Sequence, residues 1–394
     1  FFDDAAGKAG SQVHGIPVAG SLEMLRETDA PDLDEVIIAI PSAPGARVRE
    51  MVEVLESLNL PFRTVPSLSQ LARGEIATAL RPVEIGDILG RESVNFEGTD
   101  CRQFFSGKTV LVTGAGGSIG SELSRQLAKL APKALVLLDH SESALFEIQQ
   151  ELSGSDCLSV ALADVKDSAA MKAVLKKHGP QVIFHAAAFK HVAMMEQHPA
   201  MAVANNVIAT HQLAGLASKH GVEHFVLIST DKAVAPTCVM GATKRLAERI
   251  MEGHALVGGN TRFITVRFGN VLGSSGSVVP IFQKQIEEGG PLTVRDRQLT
   301  RFFMSIPEAA GLVLHSATLG QNGDRFILDM GEPVRIADLA EQMIRLSGKT
   351  PGREIEIHFT QLLPGEKLYE ELHNPSERLT ETSHPKIKRI QGDV

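Results

Sequence analysis

The sequence contains no tryptophan, one tyrosine (Tyr369) and only three cysteines among its 394 residues. It also contains no run of about 18 apolar residues, the length that a membrane-spanning helix requires, so no segment within it is predicted to cross a bilayer. The cysteines Cys101, Cys157 and Cys238 lack metal-ligand spacing and cannot form a full set of disulfides, which suits a reducing compartment. We therefore expect neither a metal centre nor a disulfide framework.

An excess of positive charge is also missing. The chain has 39 lysines and arginines against 47 aspartates and glutamates, which gives a formal net charge of −8. Because a phosphate backbone requires a basic face, a nucleic-acid partner is not expected. Apolar residues make up 43% and charged residues 22% of the chain. These values are typical of a globular protein, and the length suggests two or three domains.

The first 80 residues carry a small α/β pattern. Residues 34–40 and 61–66 are short apolar runs typical of buried parallel strands, and residues 45–58 place their apolar side chains on one helical face. We predict a partial, Rossmann-like domain at residues 1–80 and a linker with short helices at residues 81–106. A structural or tethering role for this domain is favoured over a small-ligand sensor, since no phosphate-binding glycine cluster is evident in it.

From residue 107 onwards, strand-like runs alternate with helical stretches. Such alternation predicts a doubly wound α/β (Rossmann) domain with a parallel sheet, at residues 107–270. After residue 270 the regularity fades, and we predict mainly a C-terminal substrate-binding cap at residues 271–394. The predicted strands are 109–113, 134–139, 158–163, 181–186, 224–229 and 262–268.

A glycine cluster directly follows the first of these strands. Gly114, Gly117 and Gly120 have the G-x-x-G-x-x-G spacing, which allows a tight turn and lets backbone N–H groups approach a pyrophosphate at a helix N-terminus. The next strand ends at Asp139, whose carboxylate would accept hydrogen bonds from a ribose and would repel a 2′-phosphate. The pattern therefore predicts a dinucleotide site that prefers NAD to NADP.

Further cofactor contacts are expected where the other strands end, because ligands bind at that edge of a parallel sheet. Lys190 is a candidate for contact with a phosphate or a ribose, and Asp164 and Val165 are candidates for the adenine edge. The remaining candidates lie in the same loops and helix starts: Ser118, Ile119, Ser141, Ala186, Ala187 and Asn206.

Motifs along nearly the whole chain carry a family resemblance. They are the glycine cluster, LDHSE at 138–142, HAAAFKH at 185–191, NNV at 205–207, STDKA at 229–233, PTCVMGATKR at 236–245, VRFGNVLGSSGSVVP at 266–280 and PGEKLYEEL at 364–372. Together they resemble the extended short-chain dehydrogenases/reductases. More narrowly, they resemble the bacterial nucleotide-sugar 4,6-dehydratases of the large, membrane-attached polysaccharide-biosynthesis type.

The resemblance implies an NAD-dependent lyase that dehydrates a UDP-hexose, with UDP-N-acetylglucosamine as the first candidate, for bacterial surface polysaccharide or glycan biosynthesis. It also implies an even-numbered homo-oligomer. The chain begins with Phe rather than Met, so we expect it to start inside a domain. It would then be the cytoplasmic part of an inner-membrane protein whose membrane segment precedes residue 1.

The family's usual tyrosine is absent. The superfamily normally has Tyr-x-x-x-Lys after the fifth strand, where the phenolate takes a hydroxyl proton from the substrate. Lys244 is present, and we expect it to hold the nicotinamide ribose, but Met240 stands four residues before it. A thioether cannot accept that proton. Either the chain is a non-catalytic NAD sensor or scaffold, or another group takes the proton.

The motif Thr230-Asp231-Lys232 favours catalysis. Oxidation at C4 makes the C5 proton acidic, so dehydration needs a base at C5 and an acid for the C6 hydroxyl. We expect Asp231 to be the acid, Lys232 to act at C5 and Thr230 to hydrogen-bond the C4 hydroxyl, whose proton would pass to Asp231 or to water. Lys232 is a base only when neutral, so its pKa should be depressed by burial or by positive charge nearby.

The remaining candidates concern the substrate. Asn270 and Arg301 are placed like the residues that meet the diphosphate in related enzymes, and a guanidinium suits phosphate oxygens. Glu366 is a third candidate, because it belongs to the motif at 364–372 that the resemblance shares. The alternatives are a dehydratase that inverts C5, a C4 epimerase, and UDP-glucose as the substrate. An epimerase needs no C5 base, so the Thr-Asp-Lys motif argues against it.

Overall fold

The computed structural model describes residues 1–5, 7–27, 33–41, 43, 45–58, 60–65, 80–81, 83–89 and 99–392. The chain forms two compact units, one made of residues 1–92 and 342–354 and the other of residues 93–341 and 355–394. The predicted domain boundaries at residues 80 and 106 stay predictions. In the described part of the chain, no helix is both long enough and apolar enough to cross a membrane.

The smaller unit contains the predicted strand–helix–strand. Its two central strands pair in parallel, and Met51, Val52 and Leu55 of the intervening helix are buried in its core. Its elements are β1 (Gln12–Val13), β2 (Ile16–Pro17), α1 (Leu22–Glu27), β3 (Val36–Ile38), α2 (Gly45–Ser57), β4 (Phe62–Thr64) and α3 (Ile85–Ile88).

The strands of the larger unit are β5 (Thr109–Thr113), β6 (Ala134–Asp139), β7 (Leu158–Leu162), β8 (Val182–His185), β9 (His224–Ile228), β10 (Arg262–Arg267), β11 (Asn270–Val271), β12 (Leu292–Val294), β13 (Thr300–Arg301), β14 (Phe303–Met304), β15 (Arg325–Leu328), β16 (Val334–Arg335), β17 (Ile357–Phe359), β18 (Arg378–Glu381) and β19 (Ile387–Gln391).

The helices in the remaining chain are α4 (Thr99–Phe105), α5 (Ser118–Lys129), α6 (Glu142–Glu151), α7 (Ser168–His178), α8 (Val192–Gln197), α9 (Pro199–Ala202), α10 (Ala209–Lys219), α11 (Val239–Val257), α12 (Val278–Glu287), α13 (Ile306–Leu319) and α14 (Ile336–Leu346). A π-helical segment (Val203–Ile208) joins α9 to α10, and a 3₁₀ turn (Asp231–Ala233) follows β9.

One main sheet organises the larger unit. Its order is β18-β19-β15-β10-β9-β8-β5-β6-β7, and the strands from β15 to β7 are parallel. The strand order reverses at β5, which pairs with β6 on one side and with β8 on the other. A crevice therefore opens beyond the carboxyl ends of β5 and β8, where a ligand is expected to bind.

Both faces of this sheet are buried. In β5, Val110 and Val112 belong to one apolar cluster, and Leu111 belongs to the cluster on the opposite face. Helices α5 and α13 cover the first face, and α7, α10 and α11 cover the second. The alternation explains why the strand sequences are apolar without interruption, and it confirms the predicted doubly wound fold.

The predicted strands agree closely with the observed ones. β5 and β6 have the predicted bounds, the other four strands end one residue short of theirs, and β8 also begins one residue late. The sheet, however, continues past residue 270, the predicted end of the Rossmann domain, because β15, β18 and β19 extend it. The two last strands pair antiparallel, a pattern that the search for alternating βα units does not detect.

A cluster of buried charges joins the sheet to α11 and to the C-terminal segment. Arg267, at the end of β10, donates to both carboxylate oxygens of Glu248 in α11, at 2.7 and 2.6 Å, and to Glu377 at 2.8 Å. Glu377 also accepts from Arg325, and Glu248 from the hydroxyl of Ser229. The side chains of Arg267, Glu248 and Glu377 have no exposed surface.

The carboxylates in this cluster are held in their charged form. Burial alone would raise the pKa of Glu377, but hydrogen bonds and charge from Arg267 lower it to about 2. The pKa of Glu248 is also lowered despite its burial, again because of Arg267. Removing the guanidinium would therefore leave two buried negative charges without their main partner.

We expect Arg267→Met to destabilise the protein by about 3–5 kcal/mol, the usual cost of breaking a buried ion pair from one side. The measurement is urea unfolding at neutral pH. Arg335→Met is the matched control, because Arg335 pairs with Asp338 on the surface and is 60% exposed. Equal unfolding midpoints for the two variants would contradict the claim that Arg267 stabilises the protein by compensating the buried charges of Glu248 and Glu377.

Candidate active site

The glycine cluster forms a close-packed turn between β5 and α5. Gly114 has φ +68°, and a Cβ there would lie 2.7 Å from the backbone nitrogen of Ala187. A Cβ on Gly120 would lie 2.0 Å from the carbonyl oxygen of Gly114. Gly117 precedes α5 without a side-chain cap. The N-terminus of α5 is thus left open for an anion.

Asp139 lies beside this turn at the end of β6. Its side chain is 9% exposed. One carboxylate oxygen accepts from the backbone of Gly116 and the other from the backbone of Ser141, each at 2.9 Å. Each oxygen keeps a further lone pair, so the carboxylate can still accept hydrogen bonds from two ribose hydroxyls.

Two adjoining cavities form a cleft along the carboxyl edge of the sheet. The larger has a volume of about 690 Å³ and the smaller about 260 Å³. Gly114, Gly117, Ala186 and Phe189 line both. The larger cavity receives Ser118, Ile119, Gly120, Lys190 and Lys244 of the predicted cofactor residues, and the smaller receives Asp139, Ser141, Val165 and Ala187.

Two predicted cofactor residues do not line either cavity. Asp164 instead accepts from the backbone of Lys166 and lies 3.3 Å from its ammonium. Asn206 is buried, and its amide donates to the carbonyl of Phe189 and to Thr243 and accepts from the backbone of Phe189. Asn206 thus positions the loop after β8, and its predicted contact with the cofactor stays a prediction.

Lys244 lies at the base of the larger cavity. Its ammonium donates to the carbonyl of Ile228 at 2.6 Å. Burial lowers the pKa of Lys244 to about 8, against a smaller opposing effect of Glu248. Burial and the charge of Lys244 also lower the pKa of His185 to about 3, so this histidine is neutral at physiological pH.

Met240 occupies the position of the superfamily's tyrosine and also lines the larger cavity. It is buried in a small apolar cluster with Met195, Ala202 and Cys238. Its side chain brings no proton-accepting group to the cleft. Another group must take the substrate proton if oxidation occurs here.

The Thr-Asp-Lys motif forms a hydrogen-bonded set in the 3₁₀ turn after β9. The hydroxyl of Thr230 donates to Oδ1 of Asp231 at 2.8 Å, and Nζ of Lys232 donates to the same oxygen at 3.0 Å. Lys232 also donates to Oδ1 of Asn270 at 2.9 Å. Thr230 and Lys232 line the larger cavity, and Asp231 lies behind them with 1% of its surface exposed.

The electrostatics of Lys232 differ from the expectation. Burial acts to lower the pKa of Lys232, but the carboxylates of Asp231 and Glu370 outweigh it and raise the pKa above its usual value. Lys232 is therefore an ammonium in the ligand-free protein. The predicted depression is wrong for this state because two carboxylates lie within 3.5 Å of its Nζ.

The three substrate candidates line the same cavity, together with two residues that sequence reasoning missed. Arg301 lies 3.5 Å from Glu366 and 3.7 Å from Glu370. Glu370 belongs to the 364–372 motif, but only the folded chain brings it to Lys232. Arg295, which follows β12, carries no motif signal.

The cleft is positively charged although the chain is acidic. Such a focused field attracts an anionic ligand such as a nucleoside diphosphate. In the described residues, no group of three or more His, Cys, Asp and Glu side chains is arranged to hold a metal ion. The charged residues that line the larger cavity are Lys190, Lys232, Lys244, Arg295, Arg301 and Lys367 against Glu366 and Glu370.

Comparison with known proteins places this site in a family. Residues 110–392 match the family model described as "Polysaccharide biosynthesis protein". The chain belongs to this family. It is 44% identical to the probable polysaccharide biosynthesis protein EpsC of Bacillus subtilis (strain 168), over 100% of this chain and 67% of EpsC. The chain thus spans about two thirds of the length of that relative.

Relatives of this polysaccharide biosynthesis protein with named reactions are more distant. A UDP-N-acetylglucosamine 4,6-dehydratase (inverting) of Campylobacter jejuni (strain 81-176) is 31% identical over 68% of this chain and 77% of that protein. A UDP-glucose 4-epimerase of Rickettsia rickettsii (strain Sheila Smith) is 33% identical over 69% of this chain and 80% of that protein. The two similarities are equivalent, so they do not decide between the two reactions.

Solved structures share the fold of this polysaccharide biosynthesis protein. Pen from Bacillus thuringiensis is 32% identical and covers 73% of this chain and 89% of its own, with a TM-score of 0.69. A dTDP-glucose 4,6-dehydratase, DesIV from Streptomyces venezuelae, solved as a double mutant with NAD, is 21% identical. It covers 67% of this chain and 87% of its own, with a TM-score of 0.60.

The depressed pKa of Lys244 predicts a pH dependence of stability. Between pH 8 and the usual lysine pKa of 10.5, the unfolded chain holds a proton that the folded protein has lost. The free energy of unfolding should therefore rise with pH in this window, by up to about 1.4 kcal/mol per pH unit more in the wild type than in Lys244→Met.

Urea unfolding at several pH values between 8 and 10 measures this difference. Lys172→Met, which removes an exposed lysine of α7, is the control and should keep the wild-type slope. Parallel pH profiles for wild type and Lys244→Met would show that the lysine is not desolvated as described.

Proposed function

We propose that this protein catalyses the NAD-dependent 4,6-dehydration of a UDP-hexose, with UDP-N-acetylglucosamine as the first candidate, in the synthesis of bacterial surface polysaccharide or glycan. The observation that carries the proposal is the hydrogen-bonded set of Thr230, Asp231 and Lys232 in the same cleft as the glycine turn. Dehydration requires an acid–base group beside the dinucleotide site, whereas hydride transfer alone does not require one.

The cofactor site has the chemistry that NAD needs. The glycine turn leaves the N-terminus of α5 open for a pyrophosphate, and Asp139 presents a nearly buried carboxylate where a ribose hydroxyl would bind. A 2′-phosphate would meet the negative charge of Asp139, which favours NAD over NADP. Bound NAD would supply hydride acceptance from C4 and hydride return to C6.

Thr230 and Asp231 together replace the missing tyrosine. Thr230 faces the cleft, and its hydroxyl already donates to Asp231 at 2.8 Å. As the C4 hydroxyl is oxidised, its proton passes to the oxygen of Thr230 while the threonine proton moves to Asp231. The carboxylate thereby becomes a carboxylic acid without needing direct contact with C4.

The protonated Asp231 is then the acid for the C6 hydroxyl, to which it passes a proton through the hydroxyl of Thr230, and the C6 oxygen leaves as water. Protonation of Asp231 also removes the carboxylate closest to Lys232. Burial then acts to lower the pKa of Lys232, so its ammonium can release a proton to solvent and the amine can take the C5 proton. Lys232 exchanges with solvent and delivers a solvent proton to C5 as hydride returns to C6, and it then recovers its own proton from solvent. The protons therefore balance, and the product is the 4-keto-6-deoxy sugar plus water.

The substrate end of the cleft suits a nucleoside diphosphate. Arg301 and Arg295 line it, and guanidinium groups bind phosphate oxygens in a bidentate manner. Asn270 is assigned to the sugar rather than to the diphosphate alone, because its side chain accepts from Lys232. Glu366 holds Arg301 from the side.

A C4 epimerase is the second candidate, since one relative carries that name at similar identity. Epimerisation needs no group at C5, whereas Lys232 lies directly beside Asp231 in the cleft. The name of the Campylobacter relative includes the word "inverting". Inversion or retention at C5 depends on which face of that carbon is reprotonated, and the configuration of the product shows which occurs. A cytoplasmic location, a membrane segment before residue 1 and an even-numbered oligomer remain predictions.

Proton NMR of the purified protein with UDP-N-acetylglucosamine in D₂O, without added cofactor, tests the proposal. We expect a new C6 methyl signal with deuterium at C5, and the ring couplings report retention or inversion there. Asp231→Asn should abolish the signal while bound NAD is retained. Formation of the C4 epimer without a methyl signal would establish the epimerase instead. NAD-loaded protein that is inert towards UDP-N-acetylglucosamine and UDP-glucose would favour the sensor.

The relay through Thr230 makes a separate prediction. Thr230→Val removes the hydroxyl and should lower kcat on the order of 10²-fold or more, the usual contribution of general acid–base catalysis. Thr230→Ser keeps the hydroxyl and should remain within about tenfold of the wild type. Steady-state kinetics with matched NAD occupancy measure both. Equal losses in the two variants would exclude the relay.

A further inference from the structure

Glu370 is a buried carboxylate at the centre of the cleft that the reaction scheme above does not use. Its side chain is 3% exposed, although the residue lines the larger cavity. Oε1 lies 3.5 Å from Nζ of Lys232 and 3.7 Å from Nε of Arg301. Oε2 is buried and has no hydrogen-bond partner in the described part of the protein.

We propose that Glu370 is a positioning residue of the reaction, which holds the ammonium of Lys232 on one side and the guanidinium of Arg301 on the other. The inference rests on the proposed function, because it gives Lys232 and Arg301 their roles at C5 and at the diphosphate. It adds a residue whose carboxylate contacts both the lysine proposed to act on the sugar and the arginine proposed to bind the diphosphate.

The hydrogen-bond geometry of Lys232 supports this role. An ammonium has three protons, and three acceptors surround Nζ: Asp231 at 3.0 Å, Asn270 at 2.9 Å and Glu370 at 3.5 Å. Asp231 and Asn270 lie on the segments after β9 and β10, whereas Glu370 lies on the C-terminal segment. Glu370 thus supplies a third acceptor from a different part of the chain, and the three acceptors together fix the position of Nζ.

The charges around Lys232 show what Glu370 contributes. The charged and titratable groups that face it are Asp231, Glu370, Arg301 and the thiol of Cys238. Burial lowers the pKa of Lys232, Asp231 and Glu370 raise it, and Arg301 lowers it. When Asp231 is protonated during turnover, Glu370 is the carboxylate that remains beside Lys232, and it sets how far the pKa of Lys232 falls.

Removal of this charge should change the titration of Lys232. We expect Glu370→Gln to lower the midpoint of Lys232 by about one pH unit, because a carboxylate within 4–6 Å shifts a partner's pKa by about that much or more. Arg301→Gln should raise the same midpoint, since it removes a positive neighbour and leaves Glu370 to Lys232 alone. Glu371→Gln is the matched control, because Glu371 pairs with Lys367 at the surface.

Trace acetylation of amines across a pH series, read by mass spectrometry of the peptide that contains Lys232, measures the midpoint in the NAD-loaded protein. This readout does not depend on turnover. If Glu370→Gln does not fold, the shift in Arg301→Gln decides. Unchanged midpoints in the folded variants would overturn the inference.

The outcome is separable from that of the proposed function. A shifted midpoint in a protein that makes no 4-keto-6-deoxy sugar would keep Glu370 as the partner of Lys232 and reject the dehydratase. If the wild type makes the 4-keto-6-deoxy sugar but the midpoint of Lys232 is unshifted in Glu370→Gln, the dehydratase is kept and the role of Glu370 is rejected. In an active enzyme, the limb of the pH–rate profile that reports Lys232 should move to lower pH in Glu370→Gln and stay in place in Glu371→Gln.

Discussion

The buried guanidinium of Arg267 is the constraint on which the geometry of the cleft depends. Through Glu248 it holds α11 one turn beyond Lys244, and the hydroxyl of Ser229, which precedes Thr230, donates to the same carboxylate. The helix that carries Lys244 and the Thr-Asp-Lys turn are therefore both held by one buried ion cluster. A catalytic constellation needs such support, because small displacements of reacting groups reduce rates steeply.

The same logic explains how the cleft accommodates a methionine where a proton acceptor usually stands. Met240 packs with Met195 and Cys238 in a small buried apolar cluster and also lines the larger cavity. Under the proposed function, proton transfer then depends on Thr230 and Asp231, whose hydrogen bond leads from the cleft into the protein. In that scheme, loss of the phenol removes one path for the proton and the threonine hydroxyl provides another.

Much of the fold follows from the sequence because strand and helix periodicities are local. β5 and β6 have their predicted bounds, since an uninterrupted apolar run ends at a glycine turn in one case and at Asp139 in the other. The glycine turn itself is predictable, as the clashes that a Cβ would cause at Gly114 and Gly120 demand glycine. The added strands β15 and β19 were missed because they join the sheet over long sequence separations, and β18 was missed because it pairs antiparallel with β19 outside the βα alternation.

The site was predicted less completely, for a physical reason. Residue type and spacing indicate which groups are available, but the charge of each depends on neighbours that only the fold supplies. Asn206 has every hydrogen-bonding group of its amide engaged inside the protein, so its polarity alone did not indicate a ligand contact.

Lys232 shows the effect of the fold on charge most clearly. Its burial was anticipated, yet Glu370, 138 positions away in the sequence, adds to the charge of Asp231 and reverses the expected direction of its pKa. The charge of Lys232 therefore depends on two chain segments together. In the ligand-free protein Lys232 is an ammonium, whereas the proposed chemistry at C5 needs the neutral amine. In the proposed reaction, Lys232 therefore becomes a base only after Asp231 is protonated, which requires oxidation at C4, so the base stays inactive until the substrate is ready for elimination.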